Sequence, residues 1–196
     1  MGAFLLPAGF RRPAAVAMLR EGHVVGEAGR SVVHSLSERR ARRGRPYVGA
    51  DPVTVRNNDP VMLIPGFFAG DYTLRTVAAT LRAEGYRTYR AHILANVGCT
   101  LTAAAVLESR LEQIVARREQ RVQLVGHSLG GMLARGIAVR RPDLVSGIVT
   151  MGSPMMAPGA HHRALTAGAA VLAGLSRAGV PGVMTAECLG GSCARQ

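Results

Sequence analysis

One ten-residue segment constrains the fold of this chain more than any other. Val122-Gln123-Leu124-Val125 is a short apolar run, Gly126-His127-Ser128-Leu129-Gly130-Gly131 follows it, and Met132 to Arg140 has helical composition. Strand, then Gly-x-Ser-x-Gly, then helix is the context in which this pattern forms a sharp elbow that lifts the serine hydroxyl clear of the backbone. Glycines two residues either side of Ser128 let strand and helix approach closely around a strained turn. A parallel α/β architecture is the natural setting for such a turn, and the rest of the chain agrees with it.

From Asp51 onward apolar runs and helical patterns alternate, as in a sheet of parallel strands joined by helical crossovers. Val61-Met62-Leu63-Ile64 is a continuous apolar run, suited to a strand buried on both faces and ended by Pro65-Gly66. Tyr72 to Ala83 has helical spacing, with Asp71 as its expected N-cap and Gly85 as its stop. Arg87 to Ile93 reads as a second strand. Thr102 to Arg118 reads as a helix with Val106, Leu107, Leu111, Ile114 and Val115 on one face. Gln120 to Val125 leads into the elbow, Met132 to Arg140 leaves it, and Leu144 to Met151 is a further strand before Gly152-Ser153-Pro154. Arg163 to Arg177 is either a lid helix or a crossover helix packed on the sheet, since periodicity alone does not separate the two.

Composition narrows the partners. All 24 basic residues are arginine, against 12 acids, for a formal charge of +12. Such a balance favours anionic surfaces. The excess is concentrated in residues 1–50, which read as a basic, helical extension with Arg39-Arg40-Ala41-Arg42-Arg43-Gly44-Arg45 at its densest point. Contact with an anionic membrane is possible for such a segment. No nucleic-acid partner is expected, because no recognition motif accompanies the charge and the chain lacks tryptophan. No segment reaches the roughly 18 uninterrupted apolar residues of a membrane span, and in the apolar start Met1 to Gly9 the charges Arg11 and Arg12 come after the apolar run, where a signal peptide places them first, so it reads as uncleaved. The expectation favours a cytoplasmic or membrane-peripheral location. Cys188 and Cys193 could close a small loop in an oxidising space, and their spacing is a poor metal signal. No metal or cofactor is expected.

Acyl transfer needs a nucleophile, a base, an orienting acid and donors for an oxyanion. Ser128 is the candidate nucleophile. The backbone N–H of Leu129 is one candidate oxyanion donor, and the turn Ile64-Pro65-Gly66-Phe67-Phe68 can present the N–H of Phe67 as the other. Phe67 and Phe68 would also line an apolar acyl pocket.

Taken together, Pro65-Gly66-Phe67, Asn96-x-Gly98, Gly126-His127-Ser128-Leu129-Gly130-Gly131 and Gly152-Ser153-Pro154 resemble the α/β-hydrolase superfamily, and within it bacterial triacylglycerol lipases and esterases. The likeness covers residues 51–196. It implies a mostly parallel sheet in the family order 4-3-5-6 with helices on both faces, an ester or lipid substrate, and a Ser-Asp-His triad. In that family the acid and the histidine follow the serine in sequence. Here the only acids after Ser128 are Asp143 and Glu187, and the only histidines are His161 and His162. Asp143 lies at the far end of the following helix, about 18 Å away at 1.5 Å per residue. Glu187 comes after the histidines, which inverts the order, and His161 and His162 suit a surface or lid loop. His127 beside the serine is not placed to act as its base. The expectation is that the last strands, with the triad acid and base, are missing and that ester turnover is impaired. The alternative is a non-catalytic fragment whose basic N-terminal segment contacts an anionic membrane or partner.

Overall fold

In the computed structural model the described residues are 58–154 and 163–185. The extension expected over residues 1–50, and His161, His162, Glu187, Cys188 and Cys193, lie outside them. Four strands form one sheet: β1 (Pro60–Ile64), β2 (Arg87–Arg90), β3 (Val122–His127) and β4 (Val145–Met151). Every pairing is parallel and the spatial order is β2-β1-β3-β4. This is the 4-3-5-6 order that the resemblance implies.

Four helices follow the strands in turn: α1 (Arg75–Ala83), α2 (Thr100–Arg118), α3 (Leu129–Arg140) and α4 (Arg163–Arg177). One sheet face carries Met62, Ile64 and Leu124, which pack with Leu107, Leu111 and Ile114 of α2 and with Leu133, Ala134 and Ile137 of α3. The opposite face carries Val61, Leu63 and Val125, against Val77, Ala78 and Leu81 of α1. Successive strand residues point to opposite faces, so an unbroken apolar run such as Val61 to Ile64 needs cover on both. Helices on each side provide it.

Three details differ from the sequence reading. Asp71 does not cap α1. It opens a 3-10 turn, Asp71–Leu74, that precedes the helix, and its carboxylate accepts the backbone N–H of His92 at 3.0 Å. The competing donor is distant in sequence, so local spacing could not reveal it. His92 takes a positive φ of 62°, which ends β2 at Arg90, short of the expected Ile93. Val106 is 59% exposed, whereas Ala104 takes the buried place on α2 beside Leu107 and Leu111. Ala104 stands three residues before Leu107 and seven before Leu111, on one helical face, whereas Val106 is turned about 100° from Leu107. Gly85 does end α1, at a φ of 92°.

Candidate active site

The register gathers the ends of three strands at one edge. Ile64 pairs with Gly126, and Gly126 with Thr150. The chain leaving β1, β3 and β4 therefore emerges side by side, at residues 65–68, 128 and 152–153. Loops beyond the carboxyl ends of parallel strands are where open α/β sheets place ligands.

Ser128 sits between β3 and α3 with φ 51° and ψ −117°. A non-glycine residue at positive φ is uncommon and costs on the order of 1–3 kcal/mol, which the surroundings must offset. Here they do so by crowding. A Cβ on Gly126 would overlap the backbone of Gly130 and Gly131, and a Cβ on Gly130 would overlap the carbonyl of Ile64. Strand, turn and helix thus touch backbone to backbone at the two positions that the Gly-x-Ser-x-Gly spacing singles out. The Ser128 N–H donates to the Met151 carbonyl at 2.8 Å, and the Gly131 N–H donates to the Ser128 carbonyl at 3.0 Å. Both ends of the turn are tied.

The turn after β1 lies directly against this elbow. A Cβ on Gly66 would stand 3.1 Å from the Ser128 Cβ and 3.0 Å from His127 Nδ1. Asn96 fixes that turn, and the sequence reading had given it no role. It is 4% exposed, and its side-chain amide donates to the Pro65 carbonyl at 2.9 Å. Its main chain accepts the Phe68 N–H at 3.1 Å and donates to the Ala69 carbonyl at 2.9 Å. Those bonds bracket Gly66 and Phe67. Among the described residues no backbone hydrogen bond takes up the N–H of Phe67 or of Leu129. One signal for Asn96 was present: an asparagine amid Ile93, Leu94, Ala95 and Val97 is a buried polar group in search of partners.

Phe67 and Phe68 stack at a centroid separation of 4.3 Å. Phe67, Val97 and Val183 pack against a buried cluster of Ala169 and Leu172 of α4 with Met184. Phe68 is 41% exposed, and its ring lies 2.7 Å from where Gly168 of α4 would carry a Cβ. The backbone beyond α4 returns to the same wall, since the Met184 N–H donates to the Val97 carbonyl at 2.8 Å. Ala169 and Leu172 of α4 therefore belong, with Met184, to a cluster beside the Phe67 turn and separate from the two sheet-face clusters.

Other residues are apart. Asp143 lies in an exposed pair with Arg141 at 2.8 Å, and the Arg141 hydrogen bond holds its carboxyl below the usual carboxylate range. Among the described residues, no side chain hydrogen-bonds the Ser128 hydroxyl. Ser153, of the Gly152-Ser153-Pro154 string, places its buried Oγ behind Gly131 and, among the described residues, without a hydrogen-bond partner. Among the described residues there is no group of His, Cys, Asp and Glu that could hold a metal ion, and no helix is long and apolar enough to cross a membrane.

With this sheet and elbow in view, comparison with known proteins identifies the class. The model of the alpha/beta hydrolase family matches residues 61–194. The chain belongs to that family. Among solved structures it is similar to a lipase of Bacillus licheniformis in its mature form, at 21% identity and a TM-score of 0.45, over 57% of this chain and 45% of that one. It is also similar to a carboxyl esterase of Bacillus coagulans, at 19% identity and a TM-score of 0.43, over 49% of this chain and 36% of that one. A third is a monoacylglycerol lipase of Paleococcus ferrophilus, at 22% identity and a TM-score of 0.40, over 46% and 37% of the two chains. The matched region spans less than half the length of each.

Proposed function

We propose that the chain is a serine hydrolase of carboxylic esters, of lipase or esterase type, with Ser128 as nucleophile. One observation carries this reading. Ser128 is held at φ 51° on a glycine-packed turn while the Gly66 backbone, immediately before Phe67, lies against its Cβ. Ser128 Oγ would attack the ester carbonyl as its proton passes to a base. The carbonyl oxygen, now an oxyanion, would accept the N–H groups of Phe67 and Leu129. Expulsion of the alcohol leaves an acyl-Ser128 ester, which water hydrolyses to free the acid and restore the serine. The apolar wall of Phe67, Phe68 and α4 suits an acyl chain, and α4 in this reading is the lid.

Among the described residues no side chain hydrogen-bonds the Ser128 hydroxyl. Without a base and an orienting acid in place turnover is slow, because loss of one triad member costs about 10⁴ to 10⁶ in rate while oxyanion donors and binding sustain a remainder. A fluorophosphonate probe followed by peptide mapping tests the assignment, since it reports nucleophile and oxyanion site even where turnover is low. The adduct is expected on Ser128 and absent from Ser128→Ala. Undiminished labelling of Ser128→Ala would remove Ser128 as the nucleophile.

A further inference from the structure

Far from Ser128, the C-terminal half of α2 and β2 enclose a cleft of about 250 Å³ lined by Arg87, Tyr89, Arg110, Gln113, Arg117 and Arg118. Arg87 opens β2 and pairs with Pro60 at the start of β1. The cleft is therefore at the amino edge of the sheet, whereas Ser128 is at the carboxyl edge.

Four guanidinium groups share this space, and among the described residues none of them forms an ion pair. The acids of α2 are engaged elsewhere. Glu108 pairs with Arg140 at 2.6 Å and Glu112 pairs with Arg141. At 100° per residue, positions 108 and 112 lie on the side of the helix opposite 110, 113 and 117. Two of the arginines are oriented by neutral acceptors. Arg110 Nε donates to the Arg90 carbonyl at 2.7 Å, and Arg118 Nε donates to the Tyr89 hydroxyl at 2.9 Å. Arg118 Nη2 is buried and, among the described residues, has no hydrogen-bond partner. An enclosed donor without an acceptor is unfavourable, more so when charged. The C-terminus of α2 contributes roughly half a negative charge to the neighbourhood, far less than four cations need.

We propose that this cleft binds a phosphate group, held in the fork of Arg110 and Arg118 and flanked by Arg87 and Arg117. Planar guanidinium groups donate in pairs to phosphate oxygens, and a phosphate dianion neutralises more of the clustered charge than a single carboxylate. The volume suits a headgroup or a small phosphorylated molecule. The phosphate can come from a lipid surface or from a soluble ligand, and the test separates these sources.

The full chain is titrated calorimetrically with inorganic phosphate. It is also co-sedimented with vesicles of phosphatidylcholine, with and without phosphatidic acid. The variant is Arg87→Gln with Arg117→Gln, chosen because both side chains are exposed, so folding should survive and a thermal melt verifies it. The proposal expects wild type to bind inorganic phosphate, with affinity falling about tenfold or more in the double variant and holding in Arg140→Gln. Co-sedimentation that requires phosphatidic acid and weakens in the double variant assigns the headgroup as the source. Phosphate binding without such co-sedimentation assigns a soluble ligand. Phosphate binding that is absent, equal in wild type and double variant, or matched by chloride at the same ionic strength would overturn the site.

Discussion

Strands β1 and β4 flank the same central strand, and both are apolar stretches in a parallel sheet, yet the fold treats them differently. All five residues of β1 are buried. In β4, Ile148 is 37% exposed and Val149 is 43% exposed. Register explains the contrast. Met62 and Leu124 share a face with Ile148, and Leu63 and Val125 share the other with Val149. The helices α1, α2 and α3 close over the middle of the sheet, and their cover thins toward β4, the outermost of the described strands on that side. An apolar parallel strand states a demand for cover on both faces. It does not state that the demand is met. The glycines repeat the lesson, for Gly130 beside β1 has no room for a Cβ, while Gly147 on β4 has nothing within 4 Å of one.

The largest expected effect tests the two strands directly. Met62→Ala removes a fully buried side chain and should cost about 2–5 kcal/mol in a denaturant titration. Ile148→Ala should cost about 1 kcal/mol or less, since part of its surface already meets water. Equal losses would mean that β4 is as well covered as β1.

Next comes the pair of glycines. Gly130→Ala drives a methyl group into the Ile64 carbonyl, and such overpacking costs about 1–3 kcal/mol or more. It should also diminish fluorophosphonate labelling, because the elbow and the Phe67 turn must separate. Gly147→Ala should melt within about 0.5 kcal/mol of wild type. A wild-type melt for Gly130→Ala would refute the backbone contact between β1 and α3.

A smaller effect concerns association. The double change Ile148→Thr and Val149→Thr keeps strand propensity while removing apolar surface from an edge that can pair with another chain. Sedimentation velocity should show less self-association than wild type, with stability changed by about 1 kcal/mol or less. Unchanged association would move the adhesive surface elsewhere, with the exposed Val171 and Leu175 of α4 the next to replace.

The smallest expected effect is a gain. Gly136 lies inside α3, where a Cβ would meet nothing within 4 Å. Gly136→Ala should therefore stabilise by about 0.5–1 kcal/mol through helix propensity and a less free unfolded chain. A loss would show that α3 is packed on that side as tightly as it is at Gly130.

Local spacing in the sequence determined the succession of strands and helices, the apolar strand centres and the elbow at Ser128. Hydrophobic period and glycine placement are properties of neighbours in the chain, and they survive without a fold. The Phe67 turn was legible as a turn, and its place beside Ser128 only by likeness to a family. What tertiary structure decided is every relation across the chain. It set the Asn96 amide on the Pro65 carbonyl, 31 residues away, drew the Asp71 carboxylate to His92 instead of to its own helix, and laid α4 beside Phe67. It also collected Arg87, Arg110, Arg117 and Arg118 around one cleft, although the sequence drew attention to arginines in residues 1–50. The reason is physical: a buried polar group or a clustered charge depends on which distant segments the sheet register brings together, and composition carries no record of that register.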